Sequence, residues 1–347
     1  MGYENFKQLE KEYSELYFSE KYFEALNLLE KGAESLSKEE LEKNLFAIML
    51  DKAMFYKKCD LDEQCIDTLA YLVDNGFLCP LYRRIYEPLK YNLKFKKLKE
   101  KNDLLLVQAQ EKAKLRYKVF LPEGYREDKK YPVFFNLHGD SENMKFHEGY
   151  WTPDVFLKRD FIVVYLQSSQ VIMHEGYGWL KYMFDLKGDE PWLDSPSVCR
   201  ITESCCIMKE SYDKARGDIK NCYDIIAKQY SIDKENILIG GFSGGAIATV
   251  EAAIEGIIPI KGFIALCAEE KPITFCKEVV EKAIERGIKG VLMEGEQALP
   301  VPDEEEMKKI FDEVKFPYEY YINKGVGHWY PEDLDEKLEQ ALNFILG

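Results

Sequence analysis

From about residue 113 onward the chain alternates short apolar runs with longer amphipathic ones, and that alternation leaves few folds open. Residues 132–137, 161–166, 237–240, 260–267, 290–293 and 318–322 are apolar runs of strand length, and 113–121 alternates as a half-buried strand does. Helical spacing fills 217–230, 275–286, 303–314 and 334–346 between them. Strands separated by helices predict a mostly parallel central sheet with helices on both faces, because a parallel crossover needs a covering helix.

Residues 1–103 carry a different period. Phe6, Leu9, Tyr13, Leu16 and Tyr17 have helical spacing, as do Phe23, Leu26, Leu29 and Leu36. Two further helical patterns follow around Leu45 to Phe55 and Cys65 to Leu72, and Gly76 closes the last as a left-handed cap. The pairs recur at about 40 residues, which predicts helical hairpins. An all-helical domain over 1–103 and an α/β domain over 104–347 are expected. One stretch breaks the alternation: 167–212 is a long connection carrying Tyr177, Trp179, Tyr182, Phe184 and Trp192, read as an insertion that lines or covers a pocket.

Composition narrows the partners. The net charge is −15, so the long-range field repels phosphate and argues against nucleic acid or an anionic membrane surface. No apolar run approaches the roughly 18–20 residues of a membrane helix, and the first residues lack a signal-peptide core. Met1-Gly2 falls short of a myristoylation start because position 6 is Phe. Nine cysteines without paired spacing read as reduced thiols, so a cytoplasmic setting is expected. No His/Cys/Asp cluster has ligand spacing, so neither a metal nor a cofactor is expected.

Chemistry concentrates where an apolar strand runs into an Ala-rich helix. Gly241-Phe242-Ser243-Gly244-Gly245 fits the G-x-S-x-G elbow, whose glycines let strand and helix approach closely. Serine needs a base. Of the four histidines, His328 lies in the Gly-bracketed loop after the last strand, where the Ser…acid…His order requires it. His138 ends a central strand in His138-Gly139-Asp140 and is expected to be structural. His147 and His174 have no ligand-spaced partner.

Tyr117 to Tyr125, Asn136 to Gly139, Gln167 to Val171, the elbow and Gly325-Val326-Gly327-His328 together resemble the phospholipase/carboxylesterase branch of the α/β-hydrolase superfamily, in motif order, over 113–347. The N-terminal hairpins, with Tyr22-Phe23-Glu24-Ala25-Leu26 opening a second helix, resemble tetratricopeptide-type repeats. The first resemblance implies an α/β-hydrolase fold and a serine hydrolase cleaving a carboxylic ester or thioester through an acyl-enzyme. It implies Ser243 as nucleophile, His328 as base, and the N–H groups of Gly244 and Asp140 as oxyanion donors. Trp179 and Tyr177 are substrate-pocket candidates. The second resemblance implies a protein partner for the helical domain. The acid departs from the family pattern: the Gly-x-x-Asp segment reads Gly295-Glu296-Gln297-Ala298, so the Asp position falls on Ala298. Glu296 reaching in is one reading; Asp303, or Glu269 and Glu270 after the preceding strand, is another. The third is that no acid exists and the chain is a weak or inactive hydrolase-fold binding protein.

Overall fold

The computed structural model describes residues 2–179, 182–184, 198–201 and 205–347, and the chain forms two compact units. The first comprises Met1–Lys112 with Ile172–His174, the second Ala113–Val171 with Glu175–Gly347.

In the first unit α1 (Phe6–Phe18), α2 (Tyr22–Ser35), α3 (Lys38–Lys43), α4 (Leu45–Lys58), α5 (Asp62–Asp74) and α6 (Leu93–Lys112) bury their apolar stripes against one another. Asn5 caps α1 by accepting from the Gln8 N–H, and Ser37 caps α3 by accepting from Glu40. The α1–α2 and α4–α5 turns share one geometry. Glu20 and Asp60 both have positive φ, 59° and 58°. Lys21 N–H donates to Leu16 O and Leu61 N–H to Tyr56 O, each at 2.9 Å. The roughly 40-residue hydrophobic period is thus a repeated helix–turn–helix. His174 packs its ring between Phe46 and Phe77.

The α/β break expected at residue 103 falls later. α6 runs on to Lys112, because residues 104–112 are helix formers with no Gly or Pro to stop them, and the first strand starts at Arg116.

The second unit is built on seven strands: β1 (Arg116–Phe120), β2 (Tyr131–Leu137), β3 (Ile162–Gln167), β4 (Ile232–Phe242), β5 (Gly262–Leu266), β6 (Lys289–Gly295) and β7 (Tyr318–Asn323). Their order is β1-β3-β2-β4-β5-β6-β7, with β1 antiparallel to β3 and every other pair parallel. Alternate residues of β2 enter different cores. Phe135 and Leu137 pack with α9 (Lys209–Gln229), α10 (Gly244–Glu255), α11 (Lys277–Glu285) and α12 (Pro302–Val314). Phe134 faces α8 (Asp154–Leu157) and α13 (Leu334–Leu346) on the other side. α7 (Met144–Glu148) follows β2 directly. This mostly parallel sheet, covered on both faces and preceded by a helical region, is an α/β-hydrolase fold. Its strands read as continuous apolar runs because they are buried on both faces.

The insertion predicted at 167–212 opens with a buried, hydrogen-bonded turn. Ser168 Oγ donates to Gly178 O at 2.6 Å, Gln170 Nε2 to Trp179 O at 2.8 Å, and the Ser169 N–H to Asp218 Oδ2 at 2.8 Å. Short antiparallel strands follow at Tyr182–Phe184, Val198–Ile201 and Cys205–Met208. Trp192 lies outside the described residues, as do the side chains of Tyr182 and Phe184.

Candidate active site

β4 ends at Phe242 and α10 begins at Gly244, so Ser243 alone makes the corner. Its φ of 53° and ψ of −122° lie where a non-glycine residue is strained, and strain of this kind persists only where neighbours impose it. The Ser243 N–H donates to Leu266 O at the end of β5, and its carbonyl starts α10 by accepting from Ala246 and Ile247. A Cβ on Gly241 would strike the backbone of Gly245, and one on Gly245 would strike the carbonyls of Leu137 and His138. Those glycines are therefore demanded by close approach rather than by torsion.

Ser243 Oγ lies 2.9 Å from His328 Nε2. His328 Nδ1 lies 2.6 Å from Glu269 Oε1, so this carboxylate faces the ring nitrogen turned away from Ser243. Burial pulls the imidazole pKa down, but the Glu269 carboxylate and the more distant charges of Glu294 and Glu142 outweigh it and hold it above the ordinary value.

The carboxylate facing His328 thus follows β5. Glu269 was one of the alternatives the sequence offered; Glu296 and Asp303, the other named candidates, are engaged elsewhere. Glu296 Oε2 accepts the Gly325 N–H at 2.9 Å and ties the β6 end to the histidine loop, while Asp303 Oδ2 accepts the Lys271 N–H at 3.2 Å. Glu269 approaches His328 from the end of β5. The signal for this in the sequence was a carboxylate just past the strand beside the elbow.

The loop after β2 carries Asp140. His138 is buried, donates from Nδ1 to Gly139 O (2.7 Å), and accepts at Nε2 from the Ser168 N–H (3.2 Å). Burial lowers its pKa to about 4, so it is a neutral structural imidazole. Trp179 is fully buried; its indole N–H donates to His138 O at 2.8 Å and its backbone N–H to Asp140 Oδ1 at 2.7 Å. Expected to line a pocket, it instead braces this loop. Tyr177 is half-buried, and its backbone pairs with Ser141 and Glu142. The Asp140 carboxyl packs against Gly244, where an added Cβ would run into it. Gly244 is needed for that reason, and the carboxylate sits at the helix end where the dipole favours negative charge.

Two polar groupings adjoin His328 that the sequence reading missed. On one side Tyr330 donates to Glu142 Oε2 (2.9 Å), which also accepts the Gly139 N–H (2.9 Å), while His147 links Tyr330 (2.7 Å) to Asn136 (2.8 Å). Burial raises the Glu142 pKa to about 7 against those donors. On the other side stand Cys267, Glu294 and Glu304, with the Cys267 Sγ, a Glu294 oxygen and a His328 ring nitrogen all within 4.8 Å of one another. They were invisible as a cluster because Cys267 follows β5, Glu294 lies in β6 and Glu304 in α12, all distant in sequence.

No family model matches the chain, and no curated protein matches it. Solved structures of similar fold include an uncharacterized protein from Bacillus cereus, 20% identical over 98% of both chains with a TM-score of 0.48. A fluorophosphonate-binding serine hydrolase of Staphylococcus aureus is 14% identical over 67% of this chain and 92% of its own, with a TM-score of 0.47. A phospholipase/carboxylesterase from Dyadobacter fermentans is 15% identical over 68% and 98%, with a TM-score of 0.42. Likenesses this distant leave the activity to be read from the site itself.

Proposed function

We propose that the chain is a serine hydrolase that cleaves a carboxylic ester or thioester through an acyl-enzyme. The observation that carries the reading is the line Ser243 Oγ–His328 Nε2–His328 Nδ1–Glu269, with spacings of 2.9 and 2.6 Å, at a strained strand-to-helix corner. In the first half-reaction Ser243 Oγ bonds the acyl carbon as its proton passes to His328 Nε2. The N–H groups of Gly244 and Asp140 receive the oxyanion. The leaving alkoxide or thiolate takes the proton from Nε2 as its bond to the acyl carbon breaks. Water then gives a proton to Nε2 and attacks the ester, and Ser243 leaves protonated. Glu269 holds the ring and stabilises its charged form, which the raised His328 pKa supports. The free thiols of Cys59, Cys65, Cys79, Cys222, Cys267 and Cys276 fit a reducing compartment.

A second reading, a weak or inactive hydrolase-fold binding protein, is favoured by one observation. The Asp140 carboxylate packs on Gly244, beside the N–H groups that would receive an oxyanion, and like charge there opposes it. The experiment is hydrolysis of p-nitrophenyl acetate and butyrate by wild type and Ser243→Ala, with fluorophosphonate labelling. Turnover and labelling by wild type, both lost in Ser243→Ala, are expected. Folded wild type that neither turns over nor labels overturns the first reading. A large gain in activity on Asp140→Asn favours the second.

A further inference from the structure

Cys267 follows β5, Glu294 lies in β6 and His328 sits in the loop after β7, so three neighbouring strands deliver a sulfur, a carboxylate and an imidazole to one place. Their ligand atoms lie within 4.8 Å of one another. Cys267 and Glu294 are wholly buried. Glu294 Oε1 accepts the Gly295 N–H at 2.8 Å, and its carboxyl also meets the Cys267 thiol. Glu304, 2% exposed, lies against Glu294 and the Tyr320 hydroxyl. Two buried carboxyls side by side are costly when ionised, and either a proton or a cation relieves them.

The donor set selects among cations. Thiolate with imidazole and one carboxylate suits a borderline-soft ion rather than magnesium or calcium, which take oxygen ligands. Zinc needs its donors about 2.0–2.3 Å away, and donor atoms within 4.8 Å of one another can share one ion. The half-exposed Glu269, already 2.6 Å from Nδ1, stands at the open side, where it or water completes the shell. The available ring nitrogen is Nδ1, since Nε2 faces Ser243.

We propose that Cys267, Glu294 and His328 Nδ1 form a binding site for zinc or a like divalent ion, and that its occupation switches the Ser243–His328 pair off. Binding involves no redox change: the Cys267 thiol releases its proton to solvent, and sulfur, oxygen and nitrogen each donate a lone pair. The ion takes Glu269's place at Nδ1 and opposes a second positive charge on the ring, so Nε2 no longer collects the serine proton. The inhibition rests on the serine-hydrolase reading, whereas the binding does not.

The test uses the full chain, reduced and metal-free, titrated with cobalt(II) as a spectroscopic stand-in for zinc. The expected result is a thiolate-to-cobalt charge-transfer band in wild type, lost in Cys267→Ser and bleached by added zinc. In parallel, zinc inhibits p-nitrophenyl butyrate hydrolysis by wild type. Cys267→Ser keeps its basal rate and needs about tenfold or more zinc for the same inhibition. Absence of the band, its persistence in Cys267→Ser, or equal zinc sensitivity of the two proteins overturns the proposal. If circular dichroism shows Cys267→Ser misfolded, Cys267→Ala takes its place in both arms with the same expected outcomes. Wild type lacking both turnover and fluorophosphonate label sinks the hydrolase reading alone, and the cobalt spectrum then decides the site independently.

Discussion

The two buried polar clusters beside His328 are built from similar residues and reach opposite solutions. In the Glu142 cluster every carboxyl and hydroxyl has a partner, and only Asn136 Nδ2 is left over. Tyr330 donates to Glu142, which also accepts the Gly139 N–H, and His147 sits between Tyr330 and Asn136. Burial raises the Glu142 pKa to about 7. In the Glu294–Glu304 cluster two buried carboxyls face each other, beside the Gly295 N–H, the Cys267 thiol and the Tyr320 hydroxyl. Burial and mutual repulsion push both carboxyl pKa values up, Glu304 to about 8. The first cluster ties the His138–Glu142 loop to the histidine loop; the second stores unfavourable charge next to the same histidine. A satisfied buried network positions groups, whereas an unsatisfied one is open to a proton or a ligand.

The largest expected effect falls on the contact between those clusters. Glu269→Gln is expected to lower kcat by about 10²–10⁴-fold, the scale of losing a triad acid. Glu296→Gln, which only loosens the histidine loop, is expected to cost less than about tenfold by the same scale. Comparable losses in steady-state assays of the two variants would return the acid to Glu296.

Tyr330→Phe breaks the satisfied cluster by removing one hydroxyl shared between Glu142 and His147. A destabilisation of about 1–3 kcal/mol is expected in urea unfolding, with a lower kcat, because two buried groups lose a partner. A neutral result would mean that the network does not hold the loops together.

Glu304→Gln has the opposite sign. Its folded pKa is raised, so its favourable contribution is complete below its ordinary value of 4.5 and is lost as pH climbs through about 8. The variant should therefore be more stable than wild type at pH 8.5, by about 1–2 kcal/mol, and level with it near pH 5. Equal stability at both pH values would show that the cluster carries no charge strain.

Glu142→Gln gives the smallest and most diagnostic shift. Glu142 is also raised, to about 7, so wild type loses its contribution between pH 4.5 and 7. The hydrogen bonds from Gly139 and Tyr330 keep its pKa below that of Glu304, so a smaller gain, under about 1 kcal/mol, is expected at pH 8. Thermal melts across that range test it: a gain as large as that of Glu304→Gln would erase the distinction between the clusters.

Much of this was legible in the sequence, and the reasons are local. Strand and helix periods follow from which faces are buried, so the alternation after residue 113 indicated the sheet and its covering helices. The elbow was legible because Gly241 and Gly245 answer to contacts within a few residues of Ser243 and with the strand beside it. The helical region runs past residue 103 because residues 104–112 offer no breaker. Trp179 was misread because a buried indole bracing a loop has the same composition as one lining a pocket. Glu269 was weighed only as an alternative, since side-chain reach across neighbouring strand ends has no spacing rule.

The chain's order of residues, then, determines by itself that strands alternate with helices, that Ser243 stands at a tight corner, and that His328 falls in a late glycine-bracketed loop. These depend on local torsions and on hydrophobic period. The tertiary structure alone decides which carboxylate faces His328, which polar cluster is satisfied, and that a cysteine and a glutamate close in beside the same ring. Parallel pairing brings strand ends that are distant in sequence to one edge, and the choice among their side chains is made by angstroms of reach rather than by any pattern along the chain.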